Sequence, residues 1–173
     1  MKFLRALDRL LDRVEYGLLV AFLGAMVLLA FLQVVLRNVF GGGILWADTV
    51  VRHLVLWAGF VGAALATSDG RHINIDAVTK FLPATAKRFI HFFTSVFAAT
   101  VCWYLAQAAW VYVQDERLNG GELVLSIPTW VALLIIPIGY LLIAFHFLIR
   151  ALEHLVVALE HLVVSLSRWA KAP

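Results

Sequence analysis

The sequence predicts an all-α integral membrane protein. It has four transmembrane helices and amphipathic helical extensions at the N and C termini. Three observations carry this. Hydrophobic residues make up 63% of the 173-residue chain and charged residues 14%, where soluble domains hold roughly 45–50% and 25%. Several apolar runs reach the length of about 20 residues needed to cross hydrocarbon. The basic residues gather on one side of those runs. The same composition excludes a disordered chain or a disulfide scaffold. The lone cysteine, Cys102, leaves no intramolecular disulfide and no cysteine-built zinc site.

The first 14 residues read as a short amphipathic helix. Leu4, Leu7, Leu11 and Val14 share one face, Arg5, Arg9, Asp12 and Arg13 the other, and Asp8 lies at the boundary. Such a helix lies in the headgroup region, held by apolar burial and anionic lipid. The simpler alternative is a frayed lead-in to the first span. That span is expected over 15–37, because Tyr16 to Leu36 holds 21 residues without Asp, Glu, Lys or Arg. Its apolar run exceeds the 7–15 residues of a signal-peptide core.

The second span is expected over 45–67. Its uncharged stretch, Leu54 to Ser68, has only 15 residues, so it must carry Asp48, Arg52 and His53 in its outer turns. Asp48 and Arg52 are spaced i, i+4 with the acid first, the favourable order on a helix. The pair reads either as a buried subunit contact or as an ion pair snorkelling to the interface. Ala58, Gly62 and Ala66 form a small-residue ridge beside Gly59 and Ala63, of the kind that lets helix backbones approach closely.

The third span, 89–114, rests on 26 residues free of acids and bases, and the fourth, 124–149, on the 27 such residues from Leu123 to Ile149. Pro128 predicts an early-turn proline and Pro137 a kink. The C-terminal extension, 150–169, contains Ala-Leu-Glu-His-Leu-Val-Val twice in succession, at 151–157 and 158–164. Two heptads are too few for a coiled coil. A helix continuing the fourth span is expected there.

Orientation follows from the basic residues. Lys2, Arg5, Arg9 and Arg13 precede span one. Arg71, Lys80, Lys87 and Arg88 join spans two and three. Arg150, Arg168 and Lys171 follow span four. These are 11 of the 14 Lys and Arg residues, so both termini are expected in the cytoplasm of a bacterial inner membrane. No hydrophilic domain is large enough for a soluble substrate site. No nucleophile–base pair, phosphate loop or metal-ligand cluster is visible in linear order, so neither catalysis, a cofactor nor a metal is expected. His91 and His146 sit at similar depth and pose a haem between two imidazoles as an alternative, with two interfacial histidines as the simpler case.

Trp46-Ala47-Asp48, then Arg52, Trp57, Gly59 and Gly62, followed by His72-Ile73-Asn74-Ile75-Asp76, resembles the small membrane subunit of tripartite ATP-independent periplasmic (TRAP) transporters, the DctQ-like family. Ile127-Pro128-Thr129-Trp130 and Pro137-Ile138-Gly139-Tyr140 are similar to that family's fourth span. The resemblance covers about residues 10–150. Where the family often has two adjacent acids after the tryptophan, this chain has Asp48 and Thr49. The resemblance implies a small scaffold subunit of a sodium-coupled importer of organic acids. Its partners would be a large multispanning subunit, a periplasmic binding protein and membrane lipid, and no nucleic acid. Trp46, Asp48, Arg52, Trp57, Gly59, Gly62, His72 and Asp76 are the subunit-interface candidates. The alternative function is a haem-bearing membrane anchor of a respiratory enzyme.

Overall fold

The computed structural model describes residues 2–68, 84–124 and 126–169. Four of its helices are long and apolar enough to cross a membrane. The first, α1 (Lys2–Val39), runs without a break through both the amphipathic segment and the first span. No proline interrupts it, and at 1.5 Å per residue it extends about 57 Å. It ends at a run of three glycines, where Gly41 takes φ +67°, the left-handed conformation that terminates helices. Gln33 reaches over this turn. Its Nε2 donates to the Ile44 carbonyl at 3.2 Å, and its Oε1 accepts from the Ile44 amide at 2.9 Å.

α2 (Ala47–Ser68) begins with Asp48 in its first turn, where the helix dipole favours an anion. α3 (Ala84–Asn119) follows. A short hairpin then pairs β1 (Glu122–Val124) with β2 (Ile127–Pro128) in antiparallel fashion. The fourth span is in two pieces, α4 (Thr129–Leu133) and α5 (Ile135–Trp169). It therefore starts at Thr129, not 124, because hairpin backbone occupies 122–128. The break at Leu134 lies three residues before Pro137, which has no N–H for the preceding turn and whose ring collides with the carbonyl four residues back. Leu134 N closes instead on the Val131 carbonyl at 3.4 Å. Past the break, α5 carries the helix through the duplicated heptads without interruption.

The helices form an open array in the order α1, α2, α5, α3: α2 packs against both α1 and α5, and α3 packs along α5. The buried apolar residues are mostly small. They include Ala58, Val61 and Ala64 on α2, Ala106, Ala109 and Val113 on α3, and Ala132, Ile143, Ile149 and Ala151 along the fourth span. Small side chains let these backbones approach without lipid between them. A Cβ on Gly139 would lie 2.8 Å from the Phe60 Cβ, which marks a close α2–α5 approach. Phe60 also meets Tyr140 edge-on, with ring centroids 5.1 Å apart. α1 is different. None of its most apolar 18-residue window is buried.

Candidate functional site

Two places gather the polar side chains of this chain. The first is at the end of the array where α1 begins and α2 finishes. Asp8, Asp12 and Glu15 are spaced i, i+4, i+7 and so share one face of α1. That face meets His146 of α5. The His146 ring is 1% exposed, with Nδ1 3.0 Å from Asp8 Oδ1 and Nε2 3.0 Å from Glu15 Oε1. Glu15 is itself 3% exposed. Leu10 and Val14, on the other side of α1, are exposed. The acids of this segment thus face the neighbouring helix, while Leu10 and Val14 face outward. This is the favourable sense in lipid, where apolar exposure is harmless and buried polar groups need partners. One turn further along α5, the Arg150 guanidinium donates through Nη2 to the Ser68 carbonyl at the end of α2. That carbonyl is one of the orphans every helix terminus leaves.

His91 and His146 do not pair. His91 stacks on His154, with ring centroids 5.4 Å apart and planes 18° from parallel. Stacked faces do not direct two nitrogens at one iron. Both edges of His146 lie against carboxylates, so neither is open to a porphyrin.

The second place is the N-terminal part of α2. Asp48, Arg52, Val55 and Gly59 recur at helical spacing and all four are exposed. Among the described residues Asp48 and Arg52 form no ion pair with each other; the ion pairs there are those of His146. The mutual pairing expected from their i, i+4 spacing is thereby corrected: both side chains are exposed and water or headgroup contact competes with the pair. Trp46 is exposed beside them. Gly59 has nothing within 4 Å of where a Cβ would be, and Gly62 has only Leu19 Cδ1, at 3.8 Å. Trp57 is engaged within the chain. Its indole N–H donates to the Ala132 carbonyl at 2.8 Å, in the short helix that precedes the break. Its ring meets Phe22 edge-on at 5.4 Å, so it joins α1, α2 and α4. His72 and Asp76 lie outside the described residues. Beside Trp57 an apolar pocket of about 250 Å³ is lined by Val50, His53, Leu54, Leu123, Ile127 and Val131.

Residues 26–157 match the family described as "Tripartite ATP-independent periplasmic transporters, DctQ component". The chain belongs to this family. A putative TRAP transporter small permease protein of Haemophilus influenzae is 27% identical over 125 residues, covering 72% of this chain and 77% of that one. The ectoine TRAP transporter small permease protein TeaB of Halomonas elongata is 27% identical, over 80% and 72% of the two chains. The C4-dicarboxylate TRAP transporter small permease protein DctQ of Vibrio cholerae is 25% identical, over 74% and 65%. These relatives are transporter subunits, and four long apolar helices make this chain a multi-pass membrane protein of the same kind.

Within the family frame, the α2 residues that carried the resemblance divide in two. Trp46, Asp48, Arg52 and Gly59 are left open, whereas Trp57 and, more loosely, Gly62 are used inside the chain. The His146 cluster was missed in the linear reading. Its signal was the i, i+4, i+7 row of acids on α1, which demands hydrogen-bond donors or a cation wherever that face is buried.

Proposed function

We propose that this chain is the scaffold subunit of a sodium-coupled TRAP transporter importing organic acids, with both termini in the cytoplasm. It holds a large multispanning subunit in the membrane, and a periplasmic binding protein delivers the substrate to that subunit. Asp48, Arg52 and Gly59, with Trp46 at their edge, are part of the contact with the large subunit.

One observation carries the scaffold reading: the array is open and lacks a transport site of its own among the described residues. The apolar face of α1 around Val20, Leu23, Gly24, Val27, Leu28 and Phe31 forms a shallow groove covered by no other helix among the described residues. Transport sites use inward polar groups and broken helices at mid-membrane. Here Gln33 is used on the Ile44 backbone and Thr100 Oγ1 on the Val96 carbonyl of its own helix. The broken fourth span turns its Ala132 carbonyl to the Trp57 indole.

A tagged chain should copurify with a much larger multispanning protein. Uptake by the reconstituted complex should keep its half-maximal sodium and substrate concentrations when Gln33, Thr100 or Gln107 is replaced by an apolar residue of similar size. A large shift in either concentration, with assembly intact, would place part of the site in this chain and sink the scaffold reading. Orientation has its own test. In a Cys102→Ser background, cysteines at Gly42 and Gly121, both free of neighbours within 4 Å, should react with an impermeant thiol reagent from the periplasmic side. Labelling from the cytoplasmic side alone would invert the topology.

A further inference from the structure

Among the described residues, the cluster where α1 meets α5 holds more negative charge than its hydrogen bonds account for. Three carboxylates face one imidazole, and a doubly protonated His146 offsets only one of them. Among the described residues His146 is the sole ion-pair partner of Asp8 and Glu15. Two carboxylate oxygens, Asp12 Oδ1 and Glu15 Oε2, are buried without any hydrogen-bond partner. Glu15 is 3% exposed and aimed into the cluster. Burying an acceptor without a partner is costly, and burying a charge without one more so.

We propose that Asp8, Asp12 and His146 bind a divalent transition-metal ion of the zinc class, with Glu15 as the outer carboxylate that orients the imidazole. The ligand atoms of Asp8, Asp12 and His146 all lie within 4.8 Å of one another, and His146 Nδ1 is 3.0 Å from Asp8 Oδ1. Zinc bound at about 2.1 Å to nitrogen and oxygen sets neighbouring ligands roughly 3.4 Å apart. Side-chain rotations of about 1 Å close the remainder. Glu15, accepting from Nε2–H, fixes the tautomer that turns the Nδ1 lone pair toward the two aspartates. This is the carboxylate–histidine–metal arrangement that tunes metal sites from the outer shell. One imidazole with two carboxylates suits zinc or manganese better than soft-ligand metals. Asp8 and Asp12 stand on one face of α1, and His146 stands on α5. A bound ion therefore fastens the start of the first helix to the fourth span, with water completing the coordination from the partly exposed Asp8 side.

The test is zinc titration of the chelator-stripped full-length chain by calorimetry, with cobalt absorption as a second readout of ligand geometry. One ion per chain is expected. Asp12→Asn is the informative variant, because Asp12 Oδ1 makes no hydrogen bond in the structure and its loss leaves the His146 contacts in place. Asp12→Asn is expected to weaken binding at least tenfold, and Glu15→Gln about 10–100-fold, with helical circular dichroism unchanged. His91→Gln and His53→Gln are expected to bind as the unaltered chain does. Absence of saturable binding overturns the proposal. So does affinity unchanged in both Asp12→Asn and Asp8→Asn, or binding lost with His91→Gln or His53→Gln, which would assign the ion to the stacked pair or the opposite end. Each outcome is independent of whether the chain serves as a transporter scaffold.

Discussion

Replacing Gly139 by alanine probes a close approach between α2 and α5. The added Cβ would lie 2.5 Å from Phe60 Cδ1 and 2.8 Å from both its Cγ and Cβ, where ordinary contact begins at 3.4 Å. The far end of Phe60 can swing aside, but its Cβ is fixed to the α2 backbone. The helices must then part by roughly 0.6 Å, an overpacking strain of about 1–3 kcal/mol. Separation also loosens the edge-on Phe60–Tyr140 contact, worth about 0.5–1.5 kcal/mol. Against this, alanine in a helix interior gains up to about 1 kcal/mol over glycine. A net loss of about 2 kcal/mol remains, which lowers Tm by about 4–8 °C in a chain of this size. Gly59→Ala is the control. It has the same helix-propensity gain and no neighbour within 4 Å, so the isolated chain should lose no stability. Thermal unfolding in detergent, followed by circular dichroism, measures both. A Gly139→Ala variant as stable as the unaltered chain would refute the argument from close backbone approach. In the assembled complex the Gly59 position becomes informative in turn. A bulky Gly59→Leu change should reduce copurification of the large subunit while leaving the isolated chain folded.

Three further outcomes follow from the same contacts. Trp57→Phe keeps the ring but leaves the Ala132 carbonyl without its indole donor. It should cost about 1–3 kcal/mol, seen as a lower Tm, and an unchanged Tm would mean water or another donor replaces the indole. His146→Leu strips the donor from buried Glu15 and should destabilise by about 3 kcal/mol or more. Asp8→Asn should do less in the same melt, because that side chain is 25% exposed; the reverse ranking would deny that Glu15 is the deeper partner. Because Asp48 and Arg52 do not pair with one another, the double alanine variant should weaken copurification of the large subunit by about the sum of the single changes. A clear departure from additivity would restore their mutual pairing.

The sequence by itself determined the membrane class, the number of spans and the helical nature of both ends. These depend on local quantities: the length of an apolar run, its lack of charge, and the bonding of a helix to itself when no water is present. It also placed the break in the fourth span, because proline at 137 forbids a continuous ladder whatever surrounds it. It brought the residues toward the start of α2 to notice through their order and spacing. Tertiary structure alone decided which partner each polar side chain takes. Asp8 and Glu15 find His146 across more than 130 positions of chain, Trp57 finds Ala132 across 75, and Asp48 does not pair with Arg52 although it lies one turn away. Amphipathic spacing showed that α1 has a polar face but not which way that face turns. In a membrane that sense is reversed from the soluble case. Lipid solvates the apolar side as well as a core does, so helix packing is directed by small residues and by buried polar groups seeking each other.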